Sequence, residues 1–178
     1  MRRHRRERGA TGGGEAGGGR ERAALLALAG TSAAAFAYPR LLRAVLQHNL
    51  ARLRAGDSGP LLRFYADDVR FRFPGSSSWA AELTSRRELS AWIDEFVAIG
   101  LQLHADEVVV SGPPWRTTFC LRCTDHLRDD GALVYENRAV IWGTARWGLV
   151  RDYEVYEDTE RSLALDAWLA ERRGEAAA

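Results

Sequence analysis

The fold prediction starts from the stretch WGLVRDYEVYEDT at residues 147–159. Apolar and charged side chains alternate around Tyr153 and Val155, and a period of two predicts a β-strand. Asp158 and Thr159 follow, and both are residue types that cap the start of a helix. The stretch therefore predicts a strand over 147–157 that leads into a helix, whose apolar residues are Leu163, Leu165, Trp168 and Leu169.

Three further strands are predicted before this one. The same period of two extends over 101–111, 115–127 and 133–143. The links between them contain Gly112-Pro113-Pro114 and Asp129-Asp130-Gly131, which are typical of hairpin turns. We therefore expect four consecutive antiparallel strands.

Helices are predicted in the chain before residue 100. An apolar stripe indicates one helix over 39–54, and a shorter one follows over 59–65. Residues 69–73 alternate as a strand, and residues 76–84 are expected to form a loop. Ser85 and Glu88 then form a capping box before a third helix.

This order of elements predicts an α+β fold with the helices on one face of an antiparallel sheet. The third helix carries an apolar stripe that should pack on the face of the sheet bearing Phe71, Phe119 and Ile141. The residues of that stripe are Leu89, Trp92, Ile93, Phe96 and Val97.

Composition excludes several function classes. The 178 residues are 46% hydrophobic, which allows one domain with a full core. The net charge is +1, so no strong field indicates specific nucleic-acid binding. All 25 basic residues are arginine, and the absence of lysine excludes Schiff-base chemistry and phosphate-binding loops that need a lysine.

No metal or organic cofactor is expected. Cys120 and Cys123 lie three residues apart on a predicted strand, so their side chains point to opposite faces of the sheet. They should therefore be structural cysteines. The four histidines show no spacing typical of a metal site.

The N-terminal region differs from the rest of the chain. Residues 1–22 contain seven arginines and seven glycines and should be disordered. Residues 23–37 form an alanine-rich apolar stretch that is either an extra helix or a signal-like segment. We expect the folded domain over 38–172, disorder over 173–178, and a cytoplasmic protein. Export is the alternative if 1–37 is a signal, and membrane contact is expected only if 23–37 is an anchor.

The order of elements and three local strings resemble the SnoaL-like group of the nuclear transport factor two-like superfamily. The strings are FYADDVRFRFPG at 64–75, YEN at 135–137 and WGLVRDYEVYEDT at 147–159. The resemblance implies a cone-shaped domain in which a strongly curved sheet wraps three to four helices around an apolar pocket, usually as a homodimer. The superfamily includes ketosteroid isomerases, polyketide cyclases and limonene epoxide hydrolases as well as binding domains, so it does not fix the function.

The catalytic positions of the ketosteroid isomerases do not carry acids here. Their general base corresponds to Phe73, their oxyanion tyrosine to Asn49, and their second oxyanion acid to Val140 or Ile141. The chain should therefore not isomerise a steroid by that mechanism.

One acid matches the limonene epoxide hydrolases. Asp125 lies twelve residues before Asn137, which is the spacing of their acid aspartate. Their paired arginine corresponds to Cys123 and their second aspartate to Val155. Their water-holding tyrosine and asparagine correspond to Arg70 and Arg72.

Asp125 is the candidate catalytic residue. It continues a strand face that is otherwise apolar, and burial of a carboxylate raises its pKa. Asn137 and Tyr135 are expected beside it on the neighbouring strand. The remaining candidate pocket residues are Phe71, Phe73, Trp92, Phe96, Phe119 and Ile141.

Two functions remain open at this stage. The first is a non-catalytic pocket that binds an apolar molecule, cyclic or polyketide-like. The second is a cofactor-independent isomerase, cyclase or hydrolase that uses Asp125 as general acid or base. Asp67 and Asp68 are expected to cap backbone amides, and Arg70 and Arg72 to face away from the pocket.

Overall fold

The computed structural model describes residues 37–177, and the side chains of residues 37–174. The expectations for residues 1–36 lie outside the described residues. Tyr38–Ala178 forms one compact unit. Its helices are α1 at 37–54, α2 at Gly59–Leu62, α3 at Arg86–Ala98 and α4 at Thr159–Ala177. Its strands are β1 at Tyr65–Phe73, β2 at Ala81–Leu83, β3 at Gln102–Ser111, β4 at Thr117–Asp129, β5 at Ala132–Arg146 and β6 at Leu149–Glu157.

The α+β prediction is confirmed, and the sheet has one parallel pair. Its six strands follow the order β2-β1-β6-β5-β4-β3 and do not close into a barrel. All neighbours are antiparallel except β1 and β6, which pair in parallel with Phe71 opposite Tyr153. The sheet is therefore mixed, because β6 returns to the first strand from the far end of the chain.

The expectation of a loop over 76–84 is corrected by β2. Residues Ala81–Leu83 pair with β1, with Phe71 opposite Leu83. Three residues are too few to show a period of two, so the sequence pattern carries no signal for this strand.

Helix α3 packs on the sheet as its stripe predicts. Ser85 accepts a hydrogen bond from the Glu88 backbone N–H, so the capping box is formed. Leu89 and Ile93 are buried. The Phe71 and Trp92 ring centroids lie 4.8 Å apart, which joins the helix to β1.

Bulges and one glycine curve the sheet around this core. The strand register shifts between Ala105 and Glu107, and again between Leu127 and Arg128. A bulge increases local twist and bends a strand. Gly143 lies opposite Phe119, and a Cβ there would be 2.4 Å from the Phe119 ring. The glycine thus lets the ring lie flat across β5.

Several charged residues on the outer surface form ion pairs. Asp67 pairs with Arg86 and Asp68 pairs with Arg151, which corrects the expectation that these aspartates cap backbone amides. Opposite charges from distant elements meet here, and local sequence cannot show them. Arg70 pairs with Asp152 on the outer face of the sheet, away from the core.

The two ends of α4 differ in how they match the sequence. Asp158 Oδ1 accepts a hydrogen bond from the Glu160 N–H at 3.1 Å, so Asp158 caps the helix. The helix continues to Ala177, beyond the boundary expected at residue 172.

Among the described residues, no helix is both long enough and apolar enough to cross a bilayer.

Candidate functional site

A cavity of about 170 Å³ lies between the helices and the concave face of the sheet. Helix α1 contributes Leu42, Val45 and Leu46 to its wall, and α3 contributes Trp92 and Phe96. The sheet contributes apolar residues, including Phe73, Phe119, Leu121, Ile141 and Val155. A few polar residues interrupt this wall, among them Asn49, Thr117, Asp125 and Glu157. An apolar enclosure with few polar groups is the usual form of a small-molecule site.

Asp125 lies at one end of the cavity. Its side chain is 5% exposed, and its Oδ1 has no hydrogen-bond partner. Burial raises its pKa to about 6, while hydrogen bonds from its own backbone N–H and from the Tyr135 hydroxyl lower it. The carboxyl group is therefore half protonated near pH 6 and still about one-tenth protonated at pH 7, and its Oδ1 has no partner.

Asn137 lies directly opposite Asp125 in the β4–β5 register, as predicted. However, its side chain bonds elsewhere. Its Nδ2 donates to the Tyr135 hydroxyl at 3.1 Å and to the Asp158 carbonyl at 3.0 Å, and its Oδ1 accepts from the Arg138 N–H at 2.8 Å. Both amide hydrogens are used, so Asn137 has no donor left for Asp125.

Tyr135 connects Asn137 to the carboxylate. Its hydroxyl accepts from Asn137 and is thereby turned to donate its own proton to Asp125. Burial, followed by the charges of Asp125 and Glu157, raises the pKa of Tyr135, so the hydroxyl stays protonated. Asn137 is thus a positioning residue for Tyr135, and Tyr135 is a positioning residue for Asp125.

Glu157 is a second carboxylate at this end, and sequence reasoning missed it. Burial raises its pKa to about 7, a hydrogen bond with Ser162 opposes the rise, and the charge of Asp125 adds to it. Glu157 is the last residue of β6 and lies across from Ala139. The sequence does contain a signal for its direction. Glu157 follows Tyr153 and Val155 at intervals of two residues, and side chains two residues apart share one face of a strand.

Two buried tyrosines also line the cavity. Tyr65 and Tyr153 lie with ring centroids 5.4 Å apart. Burial raises the pKa of Tyr65 to about 12, against a hydrogen bond with Tyr153. Both hydroxyls are therefore neutral. Tyr153 donates its proton to Tyr65, so the Tyr65 hydroxyl is the one with a proton left for a ligand.

The structure brings together six of the nine predicted site residues at the cavity wall. They are Asp125, Phe73, Trp92, Phe96, Phe119 and Ile141. Phe71, Tyr135 and Asn137 do not line it. Phe71 is covered by Trp92 and Tyr153, at 4.8 and 4.6 Å between ring centroids. Asn137 lies opposite Asp125 in the sheet and donates to the Tyr135 hydroxyl.

The residues that correspond to the catalytic positions of ketosteroid isomerases do not all lie at the cavity. Phe73, Asn49 and Ile141 all line the cavity, whereas Val140 points to the outer face and is 42% exposed. Cys123 is buried on the inner face, and Cys120 lies on the opposite face of the same strand. Both cysteines are free thiols, as their spacing on a strand predicts.

Comparison with known proteins defines the fold. No family model and no curated protein matches the sequence. Among solved structures, PrhC from Penicillium brasilianum is 18% identical to this chain with a TM-score of 0.58. The match covers 76% of this chain and 91% of the PrhC chain. An NTF2-like protein of unknown function from Burkholderia pseudomallei is 18% identical with a TM-score of 0.56, covering 70% and 96%.

A third similar structure is described as a putative ketosteroid isomerase from Kribbella flavida. It is 19% identical with a TM-score of 0.51, covering 67% of this chain and 79% of its own. The chain therefore has the nuclear transport factor two-like (NTF2-like) fold, as the three strings in the sequence indicate.

Proposed function

We propose that the domain binds an apolar small molecule, cyclic or polyketide-like, in the cavity between the helices and the sheet. The observation that carries this proposal is the cavity itself, with its apolar wall and the carboxyl groups of Asp125 and Glu157 at one end. A dry cavity of about 150 Å³ is known to take benzene, so about 170 Å³ holds one ring system. A larger molecule would extend through the open side.

The polar end gives the ligand its orientation. Asp125 Oδ1 is buried without a partner, and a buried polar atom of this kind is costly to leave unbonded. A ligand that places a hydroxyl or carbonyl group beside Asp125 removes that cost, because a carboxyl group near its pKa can either accept or donate. The favoured ligand is therefore a ring with one such polar group.

Binding can be tested with small ring compounds. Naphthol, cyclohexenone and indole should raise the melting temperature, and at about 100 times Kd the stabilisation is about 2.7 kcal/mol, or roughly 5–10 °C. The variant Ala145→Leu fills the cavity from β5 and should abolish the effect. Val140→Leu adds a methylene to the outer face of the same strand and is the matched control. Equal shifts in both variants, or none in the wild type, would refute the proposal.

A second candidate function is acid–base catalysis by Asp125. It is favoured by the pKa of about 6 combined with a buried, unpartnered oxygen on a residue that lines the cavity. A group with this pKa can take a proton from one atom of the ligand and return it to another near neutral pH. Glu157 lines the same cavity, and the charge of Asp125 contributes to the raised pKa of Glu157.

The two candidates differ in what Asp125→Asn does. If Asp125 only orients the ligand, the variant should weaken ring-compound binding. If Asp125 transfers protons, binding persists, and deuterium exchange at carbon next to the carbonyl of cyclohexenone should be catalysed by the wild type and not by the variant. Exchange at equal rates with and without the protein would remove the catalytic candidate and leave the binding proposal standing.

A further inference from the structure

Two hairpin turns carry a pair of exposed tryptophans at one end of the domain. Trp115 lies in the turn between β3 and β4, and Trp147 lies in the turn between β5 and β6. Trp115 is 57% exposed and Trp147 is 65% exposed, with ring centroids 5.9 Å apart. Two large aromatic side chains placed together in solvent are unusual, and exposed apolar patches commonly mark interaction sites.

The backbone holds this pair in a fixed arrangement. The Trp147 N–H donates to the Pro114 carbonyl at 2.6 Å, which joins the two turns. Gly112 closes the first turn so tightly that a Cβ there would be 2.2 Å from the Arg116 carbonyl oxygen. The backbone of the folded domain therefore holds both tryptophans side by side.

Trp147 is also an unfavourable residue for its turn. Its φ is 54° and that of Gly148 is 80°, so the β5–β6 turn has two residues in the left-handed region. Asn-Gly and Asp-Gly are the usual choices there, and Asp130-Gly131 occupies the equivalent position in the β4–β5 turn. A tryptophan in this conformation is strained, and because its side chain stays mostly exposed, burial gives the fold little compensation for that strain.

Four exposed arginines belong to the segments that meet at the tryptophan pair. Arg116 and Arg146 are exposed next to Trp115 and Trp147 in the chain, and Arg40 and Arg43 are exposed at the start of α1. The Tyr38 hydroxyl lies 2.7 Å from Thr117 Oγ1, which places the start of α1 beside the first turn. Leu41 adds a side chain that is 62% exposed.

No acidic residue balances this charge within the segments that form it. Segments 38–44, 112–117 and 145–149 contain no Asp or Glu. Among the described residues, none of the four arginines has an ion-pair partner. We call this surface the aromatic tip. It consists of Leu41, Trp115, Trp147 and the arginines Arg40, Arg43, Arg116 and Arg146.

We propose that the aromatic tip docks on an anionic phospholipid surface, with Trp115 and Trp147 in the interfacial layer and the four arginines against lipid phosphates. Tryptophan prefers the boundary between headgroups and acyl chains, and each basic residue near an anionic surface adds to binding. The combination of rigid exposed tryptophans with arginines that have no acidic partner in the described part of the chain fits such a surface better than an apolar protein groove, which would leave the arginines without counter-charges.

The tip also lies next to the cavity. Gly148, Thr117 and Ala145 belong to the cavity wall, and so do Leu42 and Val45 of α1. Leu42, Val45 and Gly148 are partly exposed, whereas Asp125 at the other end is buried. A docked domain would therefore present the open side of its cavity to the bilayer, where apolar molecules concentrate.

Vesicle flotation of the full chain tests the docking. The probes are vesicles of phosphatidylcholine alone and vesicles with equal parts of phosphatidylcholine and phosphatidylglycerol. The wild type should bind the anionic vesicles more tightly. Arg116→Gln with Arg146→Gln should lower binding to anionic vesicles about 30-fold, roughly fivefold for each arginine, without changing binding to neutral ones.

The tryptophans are tested with a variant that keeps the fold. Trp147→Asn places a residue suited to the left-handed region, so the melting temperature should be equal to that of the wild type or higher. Combined with Trp115→Ala, it should lower binding to both kinds of vesicle, by about tenfold for each tryptophan. Trp142→Ala, which removes a 44% exposed tryptophan from the outer face of the sheet, is the matched control and should bind like the wild type.

The outcomes separate the tip from other sources of binding. Acyl-chain-brominated lipids should quench the fluorescence of the wild type, and quenching should fall in the double tryptophan variant but not in Trp142→Ala. Unchanged vesicle binding in the tip variants would overturn the proposal and assign binding to residues 1–36. The proposal would also be overturned if the wild type bound neither kind of vesicle and light scattering gave a smaller mass for the double tryptophan variant than for the wild type. That result would identify the tip as an interface between two copies of the chain. Neither result depends on ligand binding in the cavity.

Discussion

Replacement of Asp125 by asparagine should make the protein more stable at alkaline pH. The asparagine keeps the shape of the side chain and removes a charge that the fold has taken out of water. The carboxyl pKa is 3.8 in its ordinary state and about 6 in the folded protein, with burial as the main cause. At about 1.36 kcal/mol for each pH unit, this difference corresponds to at most about 3 kcal/mol.

The direction of this pH effect follows from the difference in proton binding between the folded and unfolded states. Between about pH 4 and pH 6 the folded protein holds a proton on Asp125 that the unfolded chain has lost. The free energy of unfolding therefore falls as pH rises through this window and stays low above it. The wild type should lose up to about 3 kcal/mol of stability through Asp125, out of a total that is typically 5–15 kcal/mol for a domain.

Urea unfolding followed by tryptophan fluorescence from about pH 4 to pH 8 measures the effect. Asp125→Asn should be similar to the wild type near pH 4 and clearly more stable near pH 8. Asp130→Asn removes an exposed carboxylate from the β4–β5 turn, at a left-handed position that also suits asparagine, and is the control, with a curve parallel to that of the wild type. If Asp125→Asn also gave a parallel curve, Asp125 would be solvated, and both proposed roles for it would fail.

Three further predictions concern single sites. Asp125→Asn should lower the pKa of Glu157 from about 7, because the Asp125 charge contributes to that value, and a carbon-13 NMR titration of the Glu157 carboxyl measures it. Gly143→Ala should destabilise the domain by about 1–3 kcal/mol in urea unfolding, since the new Cβ would overlap the Phe119 ring. Ser85→Ala should cost about 1 kcal/mol through loss of the α3 cap, and restoration by Ser85→Asp would show that the cap is responsible.

The inward direction of Asp125 could be predicted because two independent signals agree. The alternation of Phe119, Leu121 and Cys123 sets the face, and Asp130-Gly131 sets the hairpin that places β4 beside β5. Side-chain parity and turn type are both local properties, and a one-residue slip would reverse every side chain on the strand. The face of Asp125 and the pairing of β4 with β5 are therefore contained in short stretches of sequence. The exact partner is not, because the turn register alone would place Glu136 opposite Asp125, and the bulge between Leu127 and Arg128 shifts the pairing to Asn137.

Other parts of the fold are not local and could not be predicted in this way. The parallel pairing of β1 with β6 joins residues about 80 positions apart, such as Phe71 and Tyr153. The ion pairs of Asp67 and Asp68 likewise join different elements. No periodicity reports such pairs, because a period describes only which face a residue takes within its own element.

The carboxylate site itself shows how one residue can serve a local and a distant role together. Asp158 caps α4 with its side chain, as the sequence predicts, and its carbonyl accepts a hydrogen bond from Asn137. That bond fixes the Asn137 amide, which orients Tyr135 toward Asp125. Glu157, one residue before the cap, enters the same cavity. The cap starts α4 directly after β6, so Glu157 is the last residue of that strand and lines the same cavity as Asp125 of β4. Sequence reasoning assigned the junction to helix capping alone, since the second role exists only once β4, β5 and β6 lie side by side.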